Sequence, residues 1–294
     1  MEDWMSYGRL TYLIGFPLIM IVMLYLSALL GLKWQGAWLG SPMYALINKS
    51  PRSLRLVMSS LVGALTPFCS CTTIPGFAAI LEAELGLDTA MAFLIASPTI
   101  DPAGILLLLL LFGPKLTALY VLGCFIASIA GGWIIGRIFS SRDVNPALLF
   151  GCAAETEGLT WPQAASGARA YIYRFWWVIL LCTLVGFALY DYVPSDLVVS
   201  ISNAGGFLAV PLASLLGVFV YAHMAVLVPV GAALLSKGMA PGIVVAFLAS
   251  AAGISPPEIL LLRKIVSLRL TISYILVTLV LVSVIGYIVN WVGR

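Results

Sequence analysis

The chain has 294 residues, 62% of them hydrophobic and 9% charged, with a formal net charge of +3. Ordinary soluble domains carry about 25% charged residues, so this composition excludes one and implies an all-α membrane protein crossing the bilayer several times. The slight positive balance forms no patch for nucleic acid, and no GxxxxGKS/T phosphate loop is present to drive transport with nucleotide. Uncharged runs follow one another at residues 11–32, 56–81, 116–136, 197–222, 238–257 and 270–293. Each is long enough for a helix to cross a hydrocarbon core of ~30 Å. A transmembrane barrel would show short alternating segments instead. The acidic opening MEDW, followed by a long apolar run, reads as a retained span and not as a cleaved signal peptide.

Inside the second run stands TPFCSCTTIP, residues 66–75. Pro67 and Pro75 each lack a backbone donor, and Thr72, Thr73 and Ile74 are β-branched, so the spacing predicts a broken helix here. Such a break at membrane depth needs protein or a watery cavity around it. In extended chain Cys69 and Cys71 face one side and offer two soft ligands to one guest. The bland alternative is that they are small packing residues, as buried free cysteines usually are. The remaining cysteines, Cys124, Cys152 and Cys182, are scattered, so neither a disulfide framework nor a resident metal site is expected.

Sliding the sequence on itself by 154 residues pairs Pro75 with Pro229, Gly63 with Gly217, Pro102 with Pro256, and residues 92–94 with 246–248. The ungapped register implies two homologous halves: residues 1–139, a polar connector at 140–168, and residues 169–294. His223, the single histidine, is then the counterpart of Cys69.

Charge sets the expected orientation. If residues 89–114 and 238–262 cross fully, basic residues divide eight against seven. If these stretches instead enter and return as hairpins, broken at Pro98 to Pro102 and at Ala252 to Pro257, the division becomes twelve against three. The positive-inside rule favours the second arrangement, with inverted halves and the N-terminus outside. It places Lys115 and Lys237 on opposite faces, makes Glu82, Glu84 and Asp88 a solvated outer loop, and sets Arg263 and Lys264 at a cytoplasmic end. Inverted repeats with discontinuous helices are the layout of secondary transporters. Asp101 and Glu258 fall within the membrane, where a carboxyl group suggests ion or proton handling. Both also fit helix starts: Asp101 precedes Pro102 as an N-cap, and Ser255 to Glu258 spells a capping box with Pro256 at the first turn, Pro256 and Pro257 marking the helix break.

TPFCSCTTIP and FLIASPTIDP in the first half, with PVGAALLSKGMAPG and SPPEILLLRK in the second, resemble the bacterial permease family that includes the organoarsenical efflux permease ArsP. The resemblance implies an inner-membrane permease without a cofactor, and in the best-known branch an exporter of trivalent methylated arsenicals. Asp101 departs from it, since many relatives carry an uncharged amide there. The expected function is therefore secondary transport, not enzymatic catalysis. Cys69, Ser70, Cys71 and His223 would contact a small thiol-seeking solute, with Asp101 and Glu258 as coupling or capping groups. The lipid bilayer is the expected partner, and a homo-oligomer is compatible with the chain. A membrane thiol oxidoreductase using the cysteine pair, or a passive channel, are the alternative readings.

Overall fold

A computed structural model of the chain describes residues 50–65, 73–140, 143–144, 206–220, 224–236 and 238–292, with isolated positions at 22, 25, 29, 161, 162, 165, 166, 169 and 173. Nearly all of the described residues are helical. In the first half these are α1 (Arg52–Leu65), α2 (Thr73–Glu82), α3 (Leu87–Thr99) and α4 (Pro102–Ile138). In the second half a 3-10 turn at Gly206–Leu208 leads into α5 (Ala209–Phe219), followed by α6 (Met224–Ser236), α7 (Pro241–Gly253), α8 (Pro256–Ile265) and α9 (Leu268–Val292).

At 37 residues α4 would be about 55 Å long at helical rise, well beyond one hydrocarbon core. Gly113 (φ 78, ψ 170) breaks it just before Pro114, leaving limbs at 102–112 and 114–138. The left-handed φ costs a glycine little, and proline cannot continue the preceding helix. With that break counted, the helix ends of the two halves correspond at the 154-residue offset: α3 with α7, and the limbs of α4 with α8 and α9. The turns correspond too. Glu84 N–H donates to Leu81 O and Leu85 N–H to Ile80 O, as Gly238 does to Leu235 O and Met239 to Leu234 O. The residue turning left-handed is Glu84 (φ 56) in one half and Gly238 (φ 87) in the other. Both are Schellman-type helix stops.

The interior is built on α3 and α7. Every residue of α3 is buried, and so is α7 from Gly242 to Gly253. A helix apolar on all sides belongs in a core. Lipid-facing side chains lie elsewhere, on Leu106, Leu110 and Ile126 of α4 and on Leu276 and Val280 of α9. Two helices, α4 and α9, are long and apolar enough to cross a membrane, and α7 with α8 makes a third candidate if the bent pair is taken as one span.

Contacts give the directions. Arg52 pairs with Asp88, Ser59 Oγ donates to Thr89 O at 2.7 Å, and Gly63 lies against Phe93 and Ser97, so α1 runs parallel to α3. Gly76 lies against Phe93, and the short turn joins the end of α2 to the start of α3, so α2 runs antiparallel to α3. α1 and α2 therefore run opposite ways. In the second half Gly217 lies against Phe247 and Ala251, and Gly231 against Val244 and Leu248, giving α5 and α6 the same relation to α7. The long helices of the two halves cross antiparallel: Lys115 Nζ donates to Val292 O at 3.3 Å, Gly123 meets Ile285, and Gly131 meets Val277 and Leu281.

α1 and α2 run opposite ways, as do α5 and α6, while α7 and α8 bend by 50° at their break, as a broken span or a re-entrant loop would. Two expectations change. Asp88 is no outer-loop residue: it is 7% exposed and tied to Arg52, because α1 and α3 start at one end of the molecule. Pro98 lies within the last turn of α3, with the break two residues beyond it, and Pro75 is the third residue of α2. Pro75, in the first turn, has no intrahelical acceptor to lose, whereas Pro98 costs α3 one ladder bond. Lys237 lies outside the described residues. The segment after it, through Gly242 N–H bound to Asn290 Oδ1 at 2.7 Å, stands at the Lys115 end of the molecule.

Candidate functional site

α3 and α7 each stop in mid-interior, and the two stops share one construction. Thr99 ends α3, Ile100 N–H donates back to Ala96 O at 2.9 Å, and Pro102 restarts the chain as α4. Gly253 ends α7, Ile254 N–H donates to Ser250 O at 2.9 Å, and Pro256 restarts it as α8. A proline fits the first helical turn because that donor has no intrahelical acceptor anyway. Each restarting helix is capped by the residue before the proline. Asp101 Oδ2 accepts the Gly104 N–H at 2.8 Å, and Ser255 Oγ accepts the Glu258 N–H at 3.3 Å. Each stopped helix has its last carbonyl covered by a tyrosine of the long helix: Tyr120 donates to Thr99 O at 2.9 Å, and Tyr274 to Gly253 O at 2.9 Å.

The two breaks meet. A Cβ placed on Gly253 would stand 2.6 Å from Thr99 Cγ2, so these counterparts are in contact across the interface between the halves. Around them lie buried polar groups: Ser97, Thr99, Asp101, Ser250, Ser255 and Glu258. Burying a carboxyl group without partners is costly. Asp101 answers with its cap bond. The Glu258 carboxyl instead meets the Tyr274 hydroxyl at 2.8 Å through Oε1, with the Ser255 backbone amide beside it, while Oε2 has no hydrogen-bond partner among the described residues. Met224, which follows Ser70 by 154 residues, packs against Gly104 and sets its Sδ 3.8 Å from the Tyr120 hydroxyl.

Of the residues singled out in the sequence, Asp101, Glu258, Pro102 and Pro256 come together at the breaks, and Pro257 is the second residue of α8. Cys69, Ser70, Cys71, His223 and Pro67 lie outside the described residues. Cys124 is buried and free on α4, one turn from Tyr120. Among the described residues no group of three or more His, Cys, Asp or Glu could hold a metal ion. Tyr120 and Tyr274 were not foreseen. Their signal was present, since they pair at the same offset as the prolines.

Two interrupted, fully buried helices meeting beside buried acids, in a shell of lipid-length apolar helices, define a helical integral membrane protein with a polar interior. The chain belongs to the ArsP_1 family, described as a predicted permease, whose family model matches residues 12–291. It is also similar to the UPF0718 protein MJ0584 of Methanocaldococcus jannaschii, 29% identical over 101 residues. That match takes in 34% of this chain and 28% of the relative, so it spans under a third of the curated protein's length. No solved structure matches the chain.

Proposed function

We propose that this permease is a secondary transporter of the cell inner membrane, made of two inverted copies, and that it exports a small thiol-seeking solute such as a trivalent organoarsenical. The observation that carries the reading is the antiparallel crossing of equivalent helices, 114–138 on α9, with the two helix breaks touching at its centre. Inverted repeats that bring discontinuous helices together near the midplane are the arrangement in which transporters seat substrate.

In this reading α1–α2 and α5–α6 are re-entrant pairs entering from opposite faces. Basic residues then divide eleven against four, with Arg9, Lys115, Lys237 and Arg294 on the outer side. The inward bias of positive charge survives the change of hairpin. In this reading Cys69 and Cys71 are the pair of soft ligands for the solute. Proton exchange is the simplest source of drive.

Orientation is tested in a cysteine-free background carrying one introduced cysteine at a time. Lys115→Cys and Lys237→Cys should both react with an impermeant maleimide from outside, and Arg137→Cys and Lys264→Cys only from inside. Labelling of 115 and 237 from different sides would end the assignment of α1–α2 and α5–α6 as the re-entrant pairs. Transport is tested with methylarsenite and everted vesicles: the wild type should accumulate it, and the Cys69→Ser, Cys71→Ser double variant should not. Equal uptake by the two would remove the thiols from the mechanism.

A further inference from the structure

The two breaks are built alike except for one surplus group. Tyr120 gives its hydroxyl hydrogen to Thr99 O, with the Met224 thioether and the Cys124 thiol beside it, and no carboxylate oxygen lies within hydrogen-bond distance of it among the described residues. Tyr274 lies within bonding distance of two acceptors, Gly253 O at 2.9 Å and Glu258 Oε1 at 2.8 Å, with a single phenolic hydrogen to give. A carbonyl oxygen can only accept. When Glu258 is ionised, one of the two contacts is therefore without a hydrogen. When Glu258 is protonated, its own hydrogen goes to the Tyr274 oxygen, and the Tyr274 hydrogen goes to Gly253 O, so that both contacts are made. The neutral acid completes the chain Glu258 to Tyr274 to Gly253. The ionised acid draws the tyrosine hydrogen to itself and leaves the last carbonyl of α7 bare.

Resting on the transport reading above, we propose that Glu258, Tyr274 and the Gly253 carbonyl form the proton-binding site of this permease. Asp101 serves only as a helix cap. A proton taken from one side of the membrane binds the Glu258 carboxylate, latches Tyr274 onto the end of α7, and leaves to the other side when the latch opens. The site is placed to matter, because Gly253 is the residue of α7 that touches Thr99 of the other half. Oε2, buried and without a hydrogen-bond partner among the described residues, is the open position on the acid. Asp101 has no such vacancy in its role: its Oδ2 is bound to the Gly104 amide, and Tyr120 caps Thr99 without it.

The groups facing Glu258 are few. Tyr274 comes from α9, and Ser255 from the turn ahead of α8. The charged residues of the packed elements stand at helix ends: Glu82 closes α2, Arg269 opens α9, Arg263 and Lys264 close α8, and Asp143 binds Ser267 at the α8–α9 junction. The electrostatic partners of Glu258 among the described residues are the Tyr274 hydroxyl and the Ser255 backbone, with no charged side chain among them.

The test needs no solute, so it stands or falls apart from the identity of the cargo. Infrared difference spectra of the purified full chain in lipid, taken across a pH titration, report carboxylic C=O groups that lose their proton. Wild type and Asp101→Asn should share a titrating band that Glu258→Gln lacks, and Tyr274→Phe should move its midpoint. A band unchanged in Glu258→Gln overturns the assignment, as does a band lost in Asp101→Asn. Should Glu258→Gln not fold, Tyr274→Phe decides, since it keeps the acid: a midpoint unmoved in that variant also overturns it. With methylarsenite as probe, Glu258→Gln should then lose gradient-driven accumulation while keeping exchange of internal for external methylarsenite. Accumulation unimpaired in that variant separates the acid from coupling.

Discussion

The break after α3 and the break after α7 have the same backbone and different chemistry. In both, a helix stops, a tyrosine from the long antiparallel helix covers its last carbonyl, and a proline restarts the chain. The carboxyl group, however, sits on the cap residue in the first half and one turn into the new helix in the second. At the cap it accepts a backbone N–H and is spoken for. One turn on, it reaches the tyrosine and competes with the carbonyl for a single hydrogen. A shift of three residues in the place of an acid thus changes its partner from a backbone amide to a tyrosine hydroxyl.

Changes at the two tyrosines probe this difference most strongly. Tyr274→Phe leaves both the Gly253 carbonyl and the Glu258 carboxyl without their hydroxyl partner, and each buried polar group so stranded costs about 1–3 kcal/mol. Tyr120→Phe strands one carbonyl and should cost about half as much. Melting temperatures in detergent should fall more for Tyr274→Phe. Equal falls would mean that Glu258 does not share the tyrosine.

The smaller effects lie at the caps. Asp101→Ala should cost about 1 kcal/mol, whereas Asp101→Ser, which places in the first half the residue the second half uses, should cost only a few tenths. Thermal unfolding of the two variants side by side reads this out. A large loss in Asp101→Ser would show that the carboxylate does more than cap.

The offset of 154 residues was legible because prolines and glycines fall in register; of these Pro102 and Pro256 mark helix restarts, while Pro75 and Pro229 lie within helices. Which segments double back was not legible. The charge count reads twelve against three with one choice of hairpin and eleven against four with the other, so it cannot tell them apart. The pairing of Arg52 with Asp88 brings the starts of α1 and α3 to one end, and a pairing over 36 residues leaves no local mark in the sequence. The site was legible by half. SPPE announces a capped helix start, and Ser255 does cap it, but nothing in the spacing says that the Glu258 side chain turns to a tyrosine sixteen residues on. Ser255 caps α8 as the capping box requires, and a part for the acid in coupling belongs to the proposal above.

Thr99 and Gly253 face each other at equivalent positions, one with a side chain and one without. Two identical subunits related by symmetry would have to place the same residue on both sides: two threonines would collide, and two glycines would leave a hole. Joining both halves in a single polypeptide removes that constraint. It lets a bulky partner nest into a bare one, and it lets the two acids beside the seam, Asp101 and Glu258, stand at positions that do not correspond.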